Sequence, residues 1–88
     1  PRQGNRAPRI AETPGGILNS VGLQNPGVEA FIKEEIPFIR QYDTAIIANI
    51  AGNTMEEYCE MAEILGSADI DAIELNVSCP NVKAGCVA

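Results

Sequence analysis

Asn76-Val-Ser-Cys-Pro-Asn81 places an amide, a hydroxyl, a thiol and a second amide within six residues, where an extended segment runs out. Side chains alternate in such a segment, so Ile73, Leu75 and Val77 point one way and Ala72, Glu74 and Asn76 the other. Pro80 cannot donate to a sheet and biases Cys79 toward extended backbone, so the strand stops and the thiol lies on the following loop. The chain has no histidine, which removes a Ser-His-Asp triad, a Cys-His pair and a helical His-Glu-x-x-His zinc site. A general base among these residues is Cys, a carboxylate, Lys or Tyr. An ordinary thiol, with a pKa of about 8.5, lies close enough to working pH for that task.

The other two cysteines, Cys59 and Cys86, make the total odd, and none of the three has the paired spacing of a zinc knuckle. All are read as reduced thiols, with no metal site. Six Lys and Arg against twelve Asp and Glu give a net charge of -6, which disfavours nucleic acid and anionic lipid as partners. Apolar residues make up 45% of the 88, as in a folded soluble domain, and no apolar run approaches the roughly 18 residues of a membrane span. A cytoplasmic location is the expectation.

The elements that position this chemistry are clearest over residues 44–77. Ala45 to Ile50 is a continuous apolar run of the kind found in a strand buried on both faces of a parallel sheet. After Gly52, Asn53 or Thr54 caps a helix, with Thr54 and Glu57 at capping-box spacing and acids in the first turn. Met55, Tyr58, Cys59, Ala62 and Leu65 form its apolar stripe, which puts Cys59 in the core, while Glu56, Glu57, Glu60 and Glu63 form a solvated face. Gly66 ends the helix, and residues 70–77 supply the next strand of a βαβ unit. Earlier, the first fifteen residues read as a loop, and residues 16–22 as a brief strand or tight turn. Asn25 and Pro26 read as the N-cap and first position of a helix carrying Val28, Phe31 and Ile32 on one face, which Pro37 breaks or kinks, with a restart through Phe38 and Ile39.

In this frame Asn49 and Asn76 take the last inward positions of successive parallel strands, with Asn19 a candidate for the same place one element earlier. Ligands of α/β folds bind at the carboxyl ends of strands. The donors and carbonyl of a side-chain amide suit an imide-like ring such as flavin or pyrimidine. The bland alternative is a strand-end Asn paired with a neighbouring loop backbone.

Three ordered blocks, Asn19-Ser-Val-Gly-Leu-Gln-Asn-Pro-Gly27, Ile47-Ala-Asn-Ile-Ala-Gly52 and Glu74-Leu-Asn-Val-Ser-Cys-Pro-Asn-Val-Lys83, resemble class 1 dihydroorotate dehydrogenases. Residues 8–14 and 24–27 are most similar to the NAD-linked class 1B branch. The resemblance implies a piece of a flavin-binding (β/α)8 TIM barrel, about two to three β/α units, that oxidises dihydroorotate to orotate in pyrimidine synthesis. By the same resemblance Cys79 is the catalytic base that takes the C5 proton while hydride leaves C6 for FMN. Asn49 and Asn76 contact the flavin, and Asn19, Ser20, Val21, Gly22, Leu23, Asn76 and Asn81 contact substrate. Class 1B membership implies an electron-transfer partner subunit carrying FAD and a 2Fe-2S cluster and passing electrons to NAD, in an oligomeric full-length protein.

Cys86 stands where relatives usually carry glycine, and Arg6 where many carry proline. The family's substrate lysine falls before Pro1, and its second flavin lysine and phosphate loops fall after Ala88. A barrel takes about 250 residues, so residues 1–88 are expected to be an internal, partial barrel domain that alone neither holds flavin tightly nor turns over. Two other readings remain: the pyrimidine-reducing domain of dihydropyrimidine dehydrogenase, which Asn76 to Pro80 resembles, and a non-catalytic βαβ module for binding or assembly.

Overall fold

In the computed structural model, residues 1–82 are described, so Lys83 and Cys86 lie outside the described residues. Two small sheets and two helical segments form a mixed α/β arrangement. Strands β1 (Ile10–Thr13) and β2 (Gly16–Asn19) pair antiparallel, with Ile10 opposite Asn19 and Thr13 opposite Gly16. Strands β3 (Ile47–Ile50) and β4 (Ala72–Leu75) pair parallel, with Asn49 opposite Glu74. The expected βαβ unit is thus present, closed by helix α3 (Met55–Leu65).

The hairpin corrects the reading of the first fifteen residues as a loop. Pro14 and Gly15 form its turn, and every residue of both strands is exposed. With neither face buried there is no alternation of apolar and polar residues to betray a strand. The Pro-Gly pair between Ile10 to Thr13 and Ile17 to Leu18 was the available signal.

The first helical run also departs from expectation. It comprises α1 (Val28–Ala30), a π-helical turn (Phe31–Glu35) and α2 (Ile36–Ile39) in direct succession. The cap is Gly27, not Asn25. Asn25 Oδ1 instead accepts from the Gly27 amide at 2.9 Å, an Asx turn that leads into the helix. The α-helical pattern is interrupted just before Pro37 and restarts as α2, which carries Phe38 and Ile39. The Ile36 amide reaches back to the Phe31 carbonyl, and this wider turn brings Pro37 into the first turn of α2, where its missing N–H costs least.

Thr54 caps α3 as predicted, its Oγ1 accepting from the Glu57 amide at 3.2 Å, while Glu57 Oε2 accepts from the Asn53 amide at 2.6 Å. The helix buries Leu65 and packs Tyr58 and Met61 against Ala48 and Ile50. Val28, Phe31 and Ile32 close the same core from the other helical run. Cys59 is exposed, against the prediction, and so is Met55 at 74%. At 100° per residue the stripe centres on Tyr58, Met61 and Leu65, which leaves positions 55 and 59 at its margin.

Strand β3 is buried on one face only. Ala48 and Ile50 are each 4% exposed, whereas Ile47 is 61% exposed, because both helical segments pack on the same side. Ile73 joins that packed face, but Leu75 and Val77 remain exposed, since no helix follows β4 among the described residues. The side carrying Ile47, Asn49, Ala72 and Glu74 is therefore uncovered. No helix among the described residues is long and apolar enough to cross a membrane.

Candidate functional site

The uncovered face ends in the residues singled out by the sequence. Asn49 on β3 donates from Nδ2 to Glu74 Oε1 on β4 at 2.6 Å, and the parallel register makes that contact, since the two are direct partners. Parallel pairing continues one step beyond β4, the Asn76 amide donating to the Ile50 carbonyl at 2.9 Å. This puts Asn76 on the same face as Asn49, one strand over and two residues further along. Asn76 Oδ1 accepts from the Ser78 amide at 3.3 Å, and its carbonyl accepts from the Tyr58 hydroxyl. Helix α3 thus ties down the strand end that delivers Asn76.

These partners fix which way each amide points. A carboxylate can only accept, so the NH2 of Asn49 faces Glu74. A backbone N–H can only donate, so the carbonyl oxygen of Asn76 faces Ser78. Among the described residues, the Asn49 carbonyl oxygen and the Asn76 NH2 engage no further partner. One acceptor and one NH2 donor group are left to present to a ligand on this face.

Two loops flank that edge. The first, residues 19–23, carries Asn19, Ser20, Val21, Gly22 and Leu23. Asn19 Oδ1 accepts from the Val21 amide at 3.2 Å, and two successive residues, Gly22 at φ 87° and Leu23 at φ 56°, turn through left-handed backbone. The Asn25 side chain holds the Leu23 carbonyl at 2.7 Å, restraining a conformation that a leucine seldom adopts. The second loop carries Cys79, half-buried and free of any disulfide, and turns so that the Val82 amide donates to the Cys79 carbonyl at 3.4 Å. Asn81 Nδ2 reaches across to Asn19 Oδ1 at 3.2 Å. Asn19 and Asn81 are therefore brought together, as are Asn49 and the β4 strand leading to Asn76.

Two hollows border the loops. One of about 320 Å³ lies beside β3 and includes Leu23, Asn25, Phe31 and Asn49 in its wall. The other, of about 350 Å³, is more open and is lined by Arg2, Asn5, Gly22, Asn53 and Asn81. Arg2 donates to Asn53 Oδ1 at 2.8 Å and pairs through its backbone with Asn25. Arg2, Asn5, Asn53 and Glu74 escaped sequence reasoning as site residues. Only Glu74 carried a signal, its inward position one turn of alternation before Asn76; the others act over long stretches of chain.

The opposite, amino-terminal end of the parallel pair is held by charge. Arg40 contacts Asp69 at 3.2 Å and Asp71 at 3.0 Å, and Asp71 Oδ2 also accepts from the Ile46 amide at 2.8 Å. The backbone bond from Ile46, then the guanidinium of Arg40, hold the Asp71 carboxyl below its ordinary value. Arg40 is correspondingly raised, chiefly by its hydrogen bond to Asp71. This clasp sets the start of both strands, far from the loops that carry Cys79 and Asn19.

Comparison with known proteins identifies the family. The family model described as dihydroorotate dehydrogenase matches residues 1–88. The chain is 72% identical over 87 residues to the "Dihydroorotate dehydrogenase B (NAD(+)), catalytic subunit" of Alkaliphilus oremlandii, covering 99% of this chain and 29% of that protein. It is 68% identical to the protein of the same name from Alkaliphilus metalliredigens, over the same shares of the two chains. Identity to that of Thermoanaerobacter pseudethanolicus is 60% over 88 residues, all of this chain and 29% of the relative. The chain thus spans under a third of the length of these relatives. It belongs to the dihydroorotate dehydrogenase family.

Proposed function

We propose that this chain is the part of a longer flavoenzyme that supplies the base and one edge of the active site for oxidation of dihydroorotate to orotate. The single observation that supports this most is the convergence of the Asn19 loop and the Asn81 loop, joined side chain to side chain at 3.2 Å, next to the strand-end amides. In this reading Asn19, Ser20, Val21, Gly22, Leu23, Asn76 and Asn81 contact substrate.

The residues fit a flavin. An imide edge alternates carbonyl acceptors with an N–H donor, and the free carbonyl of Asn49 and free NH2 of Asn76 offer the matching acceptor and donor on one face. A bound FMN would supply the acceptor for the hydride that leaves C6 of dihydroorotate. Cys79 removes the proton from C5, and the electrons of that C–H bond form the C5=C6 double bond of orotate. The Asn81 amide, two residues beyond Cys79 and bonded to Asn19, holds the thiol's loop against the substrate loop.

Most of the barrel, in this reading, is supplied by parts of the protein outside residues 1–88. The words "catalytic subunit" and NAD(+) in the names of the relatives favour an enzyme that works with a second subunit; in this reading the enzyme is cytoplasmic, and that subunit carries FAD and a 2Fe-2S cluster and delivers the electrons to NAD. The uncovered face of β3 and β4, on which Ile47 is 61% exposed, is the surface on which the remaining barrel would close.

The test is to purify the full-length protein and follow product. Bound FMN and orotate formed from dihydroorotate, with no dihydrouracil consumed or formed from uracil, would support the assignment. A flavin-free protein, or one that turns over the uracil pair instead, would overturn it.

A further inference from the structure

We propose that Asn5 is a positioning residue that sets the distance between the substrate loop and the loop carrying the base; this rests on the functional reading above. Asn5 Nδ2 donates to the Ser20 carbonyl at 2.7 Å and to the Asn81 carbonyl at 2.9 Å. An amide NH2 has two hydrogens, so both are committed, one to each loop. The partners are 15 and 76 residues away in sequence. A third bond, from the Asn5 backbone amide to the Val21 carbonyl at 2.8 Å, fixes the residue against the first loop.

Asn5 is itself held from behind. Arg9 Nη1 donates to its carbonyl at 3.3 Å, and Arg9 also binds the side chain of Gln24. Gly22 lies directly against the amide. A Cβ on Gly22 would sit 2.8 Å from Asn5 Nδ2, at a φ of 87° that other residues rarely adopt. The loop therefore approaches Asn5 as closely as backbone can.

The chemical consequence concerns the thiol. Cys79 lies two residues before Asn81, and the half-buried Asn5 grips the Asn81 carbonyl, not its side chain. Removing the grip leaves the Asn81 side chain and Cys79 chemically intact but frees their backbone to move relative to Asn19 and Ser20. A displacement of about 1 Å between a base and the bond it attacks costs on the order of 100-fold in rate.

The experiment uses the full-length flavin-loaded protein, in wild type, Asn5→Ala and Asn5→Asp. The rate of flavin bleaching at saturating dihydroorotate should fall about 10- to 100-fold in Asn5→Ala, with flavin bound per chain unchanged. In Asn5→Asp a carboxylate faces two carbonyl oxygens, so bleaching is slower still at neutral pH. Its rate relative to wild type at the same pH recovers as pH falls and the carboxyl protonates, because the acid then offers one O–H donor. A purely structural role would not produce that pH-dependent ratio. Wild-type bleaching rates and profile in both variants would overturn the proposal. If Asn5→Ala loses its flavin, Asn5→Ser, which keeps one donor, replaces it, and loss of flavin there too would assign Asn5 to the general scaffold and overturn the positioning role. A wild-type protein that dihydroorotate does not bleach would instead overturn the functional reading on which the proposal rests.

Discussion

Asn81 donates from its side-chain Nδ2 to the Oδ1 of Asn19 at 3.2 Å, joining two loops 62 residues apart in sequence. The bond is the meeting point of a hairpin and a βαβ unit that share no strand pairing. Residues in one network are expected to lose their effects together. In the full-length protein, Asn19→Ala and Asn81→Ala should each raise the KM for dihydroorotate. Combined, they should cost less than the sum of the two by about 0.5–3 kcal/mol of transition-state stabilisation, as expected for coupled partners. Steady-state kinetics on the four members of the cycle measure this. Strict additivity would mean that the contact carries no energy.

Asn49 and Glu74 make a second, separable prediction. Glu74 fixes the Asn49 amide so that its carbonyl faces outward. Replacing Asn49 by Ala should weaken flavin binding about tenfold, the cost of one unmade hydrogen bond to a desolvated group. Glu74→Gln retains a carbonyl acceptor and should weaken it much less, whereas Glu74→Ala should approach the Asn49→Ala value. Flavin titration followed by fluorescence quenching distinguishes the three.

The Arg40 clasp predicts an acid limb in stability. Asp71 has its carboxyl held below the ordinary value of 3.8 by the Ile46 amide and by Arg40. A depressed folded pKa contributes stability that is fully present above the unfolded value and is lost as pH falls through the folded one. Melting temperatures of the full-length protein should therefore drop below about pH 4. Asp71→Asn should melt lower at neutral pH and show a shallower fall over the acid range. Identical slopes for the two proteins would remove Asp71 from the account.

How much of this was legible follows from what each element buries. The βαβ unit was readable because Ala48 and Ile50 need an apolar partner and α3 announces itself with Thr54 and Glu57. Of the hairpin, β2 was readable as a brief strand bounded by glycine within residues 16–22, but β1 was not, since its residues are exposed and no periodicity marks them. Pro37 marked an interruption with a restart through Phe38 and Ile39, but the π-helical turn that accommodates it has no signature in residue order. Cys59 misled because a rotation of the helical stripe by less than one residue's turn is enough to move a margin residue into the core. Within the site, Asn49 and Asn76 were visible from alternation alone, whereas Asn19, expected at the end of a parallel strand, ends the antiparallel strand β2 instead. Asn5 was invisible, because its significance lies in two carbonyl groups brought to it by the fold.

The central claim is that the half-buried thiol of Cys79 takes a proton from dihydroorotate. The measurement that tests it most directly is anaerobic bleaching of the flavin by dihydroorotate in the full-length protein, compared between wild type, Cys79→Ser and Cys79→Ala. The account predicts that flavin stays bound in all three, that Cys79→Ser is slowed about 100-fold or more and gains rate as pH rises, and that Cys79→Ala is slower still, since general-base catalysis contributes about 10²- to 10⁴-fold. Bleaching in Cys79→Ala at the wild-type rate would contradict it.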